Sequence, residues 1–182
     1  MESYELGIAV QKVYDFIWDE FCDWYIEMVK PRLYATDDEK SQGAALWTLK
    51  TALIDALKLL HPYMPFITEE IFCNIQSEEE SIMISSWPVY REERNFEKEE
   101  RQIGLIKEAV RQIRNVRTGM NVPPSRKAHV FVVSADPEAR SAFEEGKLFF
   151  SSLAGASDVT IRENRDGIAE DAVSVVIPDA VL

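Results

Sequence analysis

Histidine and cysteine are nearly missing from this chain, with two of each in 182 residues. A structural zinc site wants four such ligands at short spacing, which argues against one here. No Ser/His/Asp or Cys/His set can be assembled from His61, His129, Cys22 and Cys73. Both cysteines lie on apolar segments without a partner cysteine, and they read as buried free thiols. Long apolar runs are missing too, and none approaches the roughly 20 residues of a membrane span. Met1-Glu2-Ser3-Tyr4-Glu5 has neither the basic nor the apolar stretch of a signal peptide. The expectation is a cytoplasmic protein with no metal and no membrane partner.

Positive charge is also in short supply. Twenty Lys and Arg face 32 Asp and Glu, a net charge of −12 that at face value argues against nucleic acid. The distribution says more than the sum. Between Arg101 and Lys127 stand Arg101, Lys107, Arg111, Arg114, Arg117, Arg126 and Lys127 against the single acid Glu108. That stretch is a basic island in an acidic chain. With 46% hydrophobic residues, the chain can bury a core and fits one domain, or one domain with an appendage.

Periodicity supplies the architecture. Leu6, Val10, Val13, Ile17, Phe21, Trp24 and Met28 recur at steps of three and four, predicting one amphipathic helix from Tyr4 to about Leu33, with Pro31 at its end. Leu46, Leu49, Leu53, Leu57 and Leu60 predict a second, capped by Thr36 or Asp37 and broken at His61-Pro62. Pro65 starts a third, through Ile75. A polar link from Gln76 to Arg94 carries the apolar patch Ile82-Met83-Ile84. A fourth helix, Asn95 to Met120, turns Phe96, Ile103, Ile106, Val110, Ile113 and Met120 inward. The period then changes. Ala128–Ser134 reads as a strand, Asp136-Pro137-Glu138 as a helix start leading to about Leu153, and Asp158–Glu163 and Ala172–Ile177 as two further strands. The predicted fold is mainly α: a helix bundle over 1–123, then a small β-α-β-β (α+β) subdomain over 124–182.

Two runs are denser in aromatics, prolines and carboxylates than a helix surface requires: Phe21-Cys22-Asp23-Trp24-Tyr25-Ile26-Glu27 and Leu60-His61-Pro62-Tyr63-Met64-Pro65-Phe66-Ile67-Thr68-Glu69-Glu70. On spacing alone, Phe21, Trp24 and Met28 are core, the acids Glu20, Asp23 and Glu27 form a solvated face, and His61 is a helix-end residue. Together the runs resemble the helical anticodon-binding domain of class I aminoacyl-tRNA synthetases. The second is shared by the leucine and isoleucine enzymes. The first, with Arg114-Asn115-Val116-Arg117 and Met120-Asn121-Val122-Pro123-Pro124-Ser125, resembles the valyl-tRNA synthetase family in particular.

That resemblance implies that Ile26 and Glu27 border the anticodon pocket. Valine anticodons carry adenine in the middle and cytosine third, and both offer an exocyclic amino donor. A carboxylate accepts only, so Glu27 suits these bases, while Ile26 supplies an apolar wall. The basic island reads in two ways, as a solvated helix pairing with acids or as a phosphate-tracking face of Lys107, Arg111, Arg114 and Arg117. The family's HIGH-like and KMSKS-like sequences and any Gly-rich phosphate loop are absent, so no catalytic residue or cofactor is expected in this stretch. The resemblance implies tRNA(Val) as partner, with catalytic and editing domains and a coiled-coil arm elsewhere in the protein, and ATP with Mg in the catalytic domain. The competing readings are the same domain from a leucyl or isoleucyl enzyme, and an acidic helical protein-interaction module. The lack of C-terminal cysteine pairs speaks against the isoleucine enzyme.

Overall fold

The computed structural model describes residues 5–34, 38–169 and 172–182. Packing gathers the chain into two compact units, Met1–Arg91 and Glu92–Leu182.

In the first unit, α1 (Leu6–Asp15), a π-helical segment (Phe16–Ile26) and α2 (Glu27–Tyr34) follow one another without a break. The wider i→i+5 ring replaces the α-helical one along the aromatic-rich run, an uncommon length for this conformation. Its effect shows in the rings. Phe16 and Phe21, five apart, have centroids 6.3 Å apart, although an α-helix would point them about 140° away from each other. Phe21 in turn stacks on Tyr25 at 6.2 Å. An α-helical stripe cannot run straight through such a segment, so the predicted seven-residue stripe breaks up. Phe21 and Met28 are buried and Val29 joins them, whereas Leu6 is exposed. The helix also passes the expected stop at Pro31. That proline removes the N–H that would bond the Glu27 carbonyl, and the buried Met28 and Val29 hold the turn in place.

Of the expected second-helix caps, Thr36 and Asp37 lie outside the described residues. The cap of α3 (Glu39–Leu60) is Asp38, whose carboxylate accepts the Ser41 N–H at 2.9 Å. The end of α2 is tied to this start. Arg32 Nε donates to Ser41 Oγ at 2.8 Å and Gln42 Nε2 to the Leu33 carbonyl at 2.7 Å. After the His61-Pro62 break comes α4 (Pro65–Ile75). Leu57, Phe72 and Ile82 form the core here, with Leu53, Ile54, Ile71 and Ile75 packed around them, while Leu46 of the leucine series is exposed. Ile82 belongs to a 3₁₀ turn, Ile82–Ile84, and Glu69 holds that turn by accepting the Ile82 N–H at 3.0 Å. The Ser81 hydroxyl is the main influence lowering the Glu69 carboxyl below its ordinary range, helped by the Ile82 amide. Both cysteines are free thiols, but neither is buried as expected: Cys22 is half-buried, and Cys73 is exposed because α4 turns the neighbouring Phe72 inward.

The second unit begins with a 3₁₀ turn (Glu92–Arg94) and α5 (Glu97–Gly119), followed by β1 (Ala128–Val133), α6 (Pro137–Glu145), α7 (Lys147–Leu153), β2 (Ala156–Arg162), β3 (Val176–Ile177) and β4 (Ala180–Val181). The sheet order is β2-β1-β4-β3, with β1 parallel to β2 and antiparallel to β4. One face of the sheet buries Val130, Val132 and Val159 with Phe143, Phe150 and Leu153 of the two helices. Asp136 caps α6 as expected, accepting the Glu138 N–H at 3.0 Å, with Pro137 at the first position.

Three details depart from the predicted unit. The single helix to Leu153 is split at Gly146. A Cβ there would come within 2.5 Å of Ile106 Cδ1 on α5, so the two helices meet where the chain can approach most closely. The third strand shrinks to Val176–Ile177, and β4 is added as its antiparallel partner. Finally, α5 buries Ile106, Ala109 and Val110 beside α6 and α7, while Phe96, Ile103 and Met120, expected inward, are exposed. The change of period at Pro123 is where helix gives way to strand, but the packing boundary falls earlier, between Arg91 and Glu92.

Two outcomes are expected in the first unit. Phe72 is 1% exposed and Phe66, six residues before it, 89%. Phe72→Ala should cost about 3–5 kcal/mol of unfolding free energy, and Phe66→Ala should stay within about 0.5 kcal/mol, as read by urea denaturation. The second outcome concerns pH. Because the folded Glu69 carboxyl lies below its ordinary value, its hold on the Ile82 turn is full above that ordinary value. It is lost as pH falls through the lowered one. Amide exchange at Ile82 should accelerate over that acid window in the parent, and Glu69→Gln should remove the dependence.

Candidate nucleic-acid interface

Ile26 and Glu27 sit at the junction where the π segment gives way to α2. Residues flanking such a segment are turned relative to their α-helical expectation, and π turns are frequent at functional sites. Ile26 is half-buried. Glu27 is 42% exposed at its side chain, and its Oε1 accepts from Lys30 Nζ at 2.5 Å, one turn on. The carboxylate is therefore accessible and already oriented by a cation. A base amino group approaching it meets an acceptor held on one side, with lone pairs left over. Upstream on the same helix, Tyr14 and Trp18 are exposed, with ring centroids 6.4 Å apart.

His61 is engaged structurally. Thr68, fully buried, donates its hydroxyl to the Met64 carbonyl at 2.8 Å and lies 2.7 Å from His61 Nδ1. On its other side His61 Nε2 lies 2.9 Å from Met83 Sδ, so both ring nitrogens are engaged at the α3–α4 corner.

The basic helix α5 divides its cations by task. Arg111 is exposed and pairs with Glu108 at 2.7 Å. The Gln112 side chain and then Arg111 hold the Glu108 carboxyl below its usual range. Lys107 is half-buried. Arg114 and Arg117 are committed to backbone. Arg114 Nε donates to the Leu153 carbonyl at 2.7 Å, satisfying the C-terminal end of α7 as a cation can. Arg117 Nη2 donates to the Arg126 carbonyl at 2.5 Å and the Pro123 carbonyl at 3.3 Å, clasping the turn that leads into β1. Gly155 makes room for this. Its φ is +67°, and a Cβ would stand 3.3 Å from that same Nη2. The helical spacing that groups the four cations cannot reveal these carbonyls, which come from the loop beyond α5 and the end of α7. The one hint of them in the sequence is Gly155, placed just after a predicted helix end.

Among the described residues, no group of three or more His, Cys, Asp or Glu is arranged to hold a metal ion, and no helix is long and apolar enough to cross a membrane.

Comparison with known proteins agrees with this architecture. The profile of the anticodon-binding domain of tRNA ligases matches residues 1–132, which takes in the first unit, α5 and most of β1. The chain is 54% identical over 177 residues to a valine–tRNA ligase of Clostridium perfringens, covering 97% of this chain and 20% of that protein. It is 50% identical to the valine–tRNA ligase of Clostridium tetani over 99% of this chain, and 36% identical to that of Geobacillus stearothermophilus over 181 residues, the whole of this chain. In each case it spans about a fifth of the relative. A helical unit of this topology, matched by the family profile over most of its length, belongs to the family of anticodon-binding domains of tRNA ligases.

Proposed function

We propose that the chain is the anticodon-binding part of a valine–tRNA ligase, positioning tRNA(Val) for ATP-dependent valylation by a catalytic domain elsewhere in the protein. The observation that carries this reading is the match to valine–tRNA ligases along nearly the whole chain, β subdomain included. In this reading ATP and its Mg belong to the catalytic domain, and the editing and coiled-coil domains are further parts of the same polypeptide. The cell compartment is the cytoplasm, where aminoacyl-tRNA is consumed.

Within this reading, Glu27 accepts from the amino group of an anticodon base and Ile26 lines the wall beside it. On α5, Arg111 and Lys107 follow phosphates. Arg114 and Arg117 serve the interface by holding the second unit's loop and helix end in shape. Phosphate contacts set position without reading sequence, so the two sites contribute separable properties: selectivity from Glu27 and salt-dependent affinity from α5.

Titration of tRNA into the chain at two salt concentrations should give weak, strongly salt-dependent binding, roughly 10⁻⁴–10⁻⁶ M. Arg111→Glu should weaken it for any tRNA about equally while leaving thermal unfolding unchanged. Arg114→Ala should instead lose about 1 kcal/mol of stability with the Leu153 hydrogen bond. Nanomolar binding indifferent to salt would overturn this account. In the whole ligase, Glu27→Gln should cost roughly 1–3 kcal/mol of discrimination at one anticodon base. That cost is read as the ratio of aminoacylation efficiencies on transcripts with the middle or third anticodon base changed. An unchanged ratio would leave Glu27 as surface charge paired with Lys30.

A further inference from the structure

The second unit leaves one face of its sheet uncovered by α6 and α7. The strand register puts His129, Phe131 and Val133 of β1 on that face, beside Asp158, Thr160 and Arg162 of β2. The aromatic side chains form a stack whose open end is the exposed His129 ring. His129 and Phe131 stack with centroids 4.2 Å apart and planes at 26°, and the Arg162 guanidinium lies 5.3 Å from the Phe131 centroid. His129 is held in orientation by Thr160, with Nε2 and Oγ1 at 2.8 Å, yet its side chain is 43% exposed. Arg162 is fixed by donating to the Asp166 carbonyl.

This surface floors a groove of about 890 Å³ in the same unit, walled by Ile113, Met120 and Val122. Its charged lining is Arg117, Arg126 and Arg165 against Asp166 alone, a cationic lining in a chain of net charge −12. Arg126 and Arg165 are exposed at the rim, and Asp158, 3.5 Å from His129 Nε2, marks the far edge of the aromatic surface. The size is that of a small-ligand site, about 300–1,000 Å³, too narrow for a duplex and open enough for an extruded nucleotide.

The geometry points to a second RNA-contacting site: the groove over the open sheet face takes an unpaired nucleotide, its base stacked on the exposed His129 ring that Phe131 backs, and its phosphates beside Arg126 and Arg165. Splayed bases are bound on aromatic and guanidinium planes, and stacking tolerates any base because each has a π face. Arginines at the rim supply the salt-dependent part. Arg117 is held by the Arg126 and Pro123 carbonyls, so Arg126 and Arg165 are the cations placed to meet phosphate, and a peptide without acids would leave their charge unmet. The inference rests on the chain being an RNA-binding one, and it adds a place of contact outside Ile26, Glu27 and the outer face of α5.

The test is a heteronuclear NMR titration of the whole chain with a single-stranded oligoadenylate hexamer and, separately, with a duplex of the same length. Saturable shifts at His129, Phe131 and Arg126 with the single strand, and much weaker ones with the duplex, are expected. His129→Ala should weaken the single-strand interaction about tenfold, and Arg126→Gln should reduce the salt slope by about one. Phe131→Leu keeps the apolar bulk but removes the ring, so weakened binding by this variant with native amide dispersion excludes misfolding as the cause. Shifts confined to the first unit or to α5, or His129→Ala and Phe131→Leu variants that bind like the parent, would overturn the site. Failure here is distinguishable from failure of the tRNA reading. If tRNA binding falls in Arg111→Glu but survives in His129→Ala, only this inference is lost. If the parent binds the hexamer at the groove but shows no tRNA binding, the proposed function falls and the site stands.

Discussion

The burial of Ile106, Ala109 and Val110 on α5, beside α6 and α7, is the contact on which the second unit depends. These residues are 0–2% exposed, and they make up the buried stripe of that helix. Once that stripe is committed, the rest of the helix surface is assigned. Arg114 is brought to the end of α7 and Arg117 to the turn before β1, where carbonyls await them. Arg111 is left facing outward. A charge count would treat these arginines as equivalent. Packing separates those that shape the unit from those able to meet a phosphate.

A different constraint governs the first unit. The π segment carries the aromatic rings, and its wider turn places Phe16 against Phe21. It ends at Ile26, so Ile26 and Glu27, the residues proposed to meet the anticodon, straddle the point where regular α-helix resumes. Rings packed along the segment anchor it, and the Lys30–Glu27 pair orients the carboxylate at its end. A base-reading group needs such support, because a side chain free to rotate gives up in entropy what its hydrogen bond gains.

Much of this architecture is legible in the amino-acid sequence. Proline and capping signals place α4 and α6 well, since Pro65 and Asp136-Pro137 act through local backbone chemistry. The place of Leu57 in the core follows from the leucine spacing, while no stripe singles out its partner Phe72. What spacing does not show is a change in helix type, because the 3.6 period is assumed in reading the stripe. Pro31 departs from expectation for another reason, because the buried Met28 and Val29 hold its turn in the helix. Phe96, Ile103 and Met120 point inward by the same arithmetic, yet the second unit leaves them exposed. At the interface, Glu27 is singled out by resemblance rather than by pattern. The commitments of Arg114 and Arg117 leave no trace in sequence beyond Gly155, because their acceptors are backbone carbonyls, which every residue has.

The pairing of β1 with β2 also has a kinetic side. The two strands are parallel, so the whole of α6 and α7 must be synthesised and folded back before Val130 can meet Val159, and β4 must return later still to reach Val133. Contacts of such long sequence separation form slowly. The first unit is built from neighbouring helices and short corners, and it leaves the ribosome first. It therefore has its native contacts within reach while the sheet is still incomplete. During that interval the apolar stripe of α5 lacks the cover that α6 and α7 later give it.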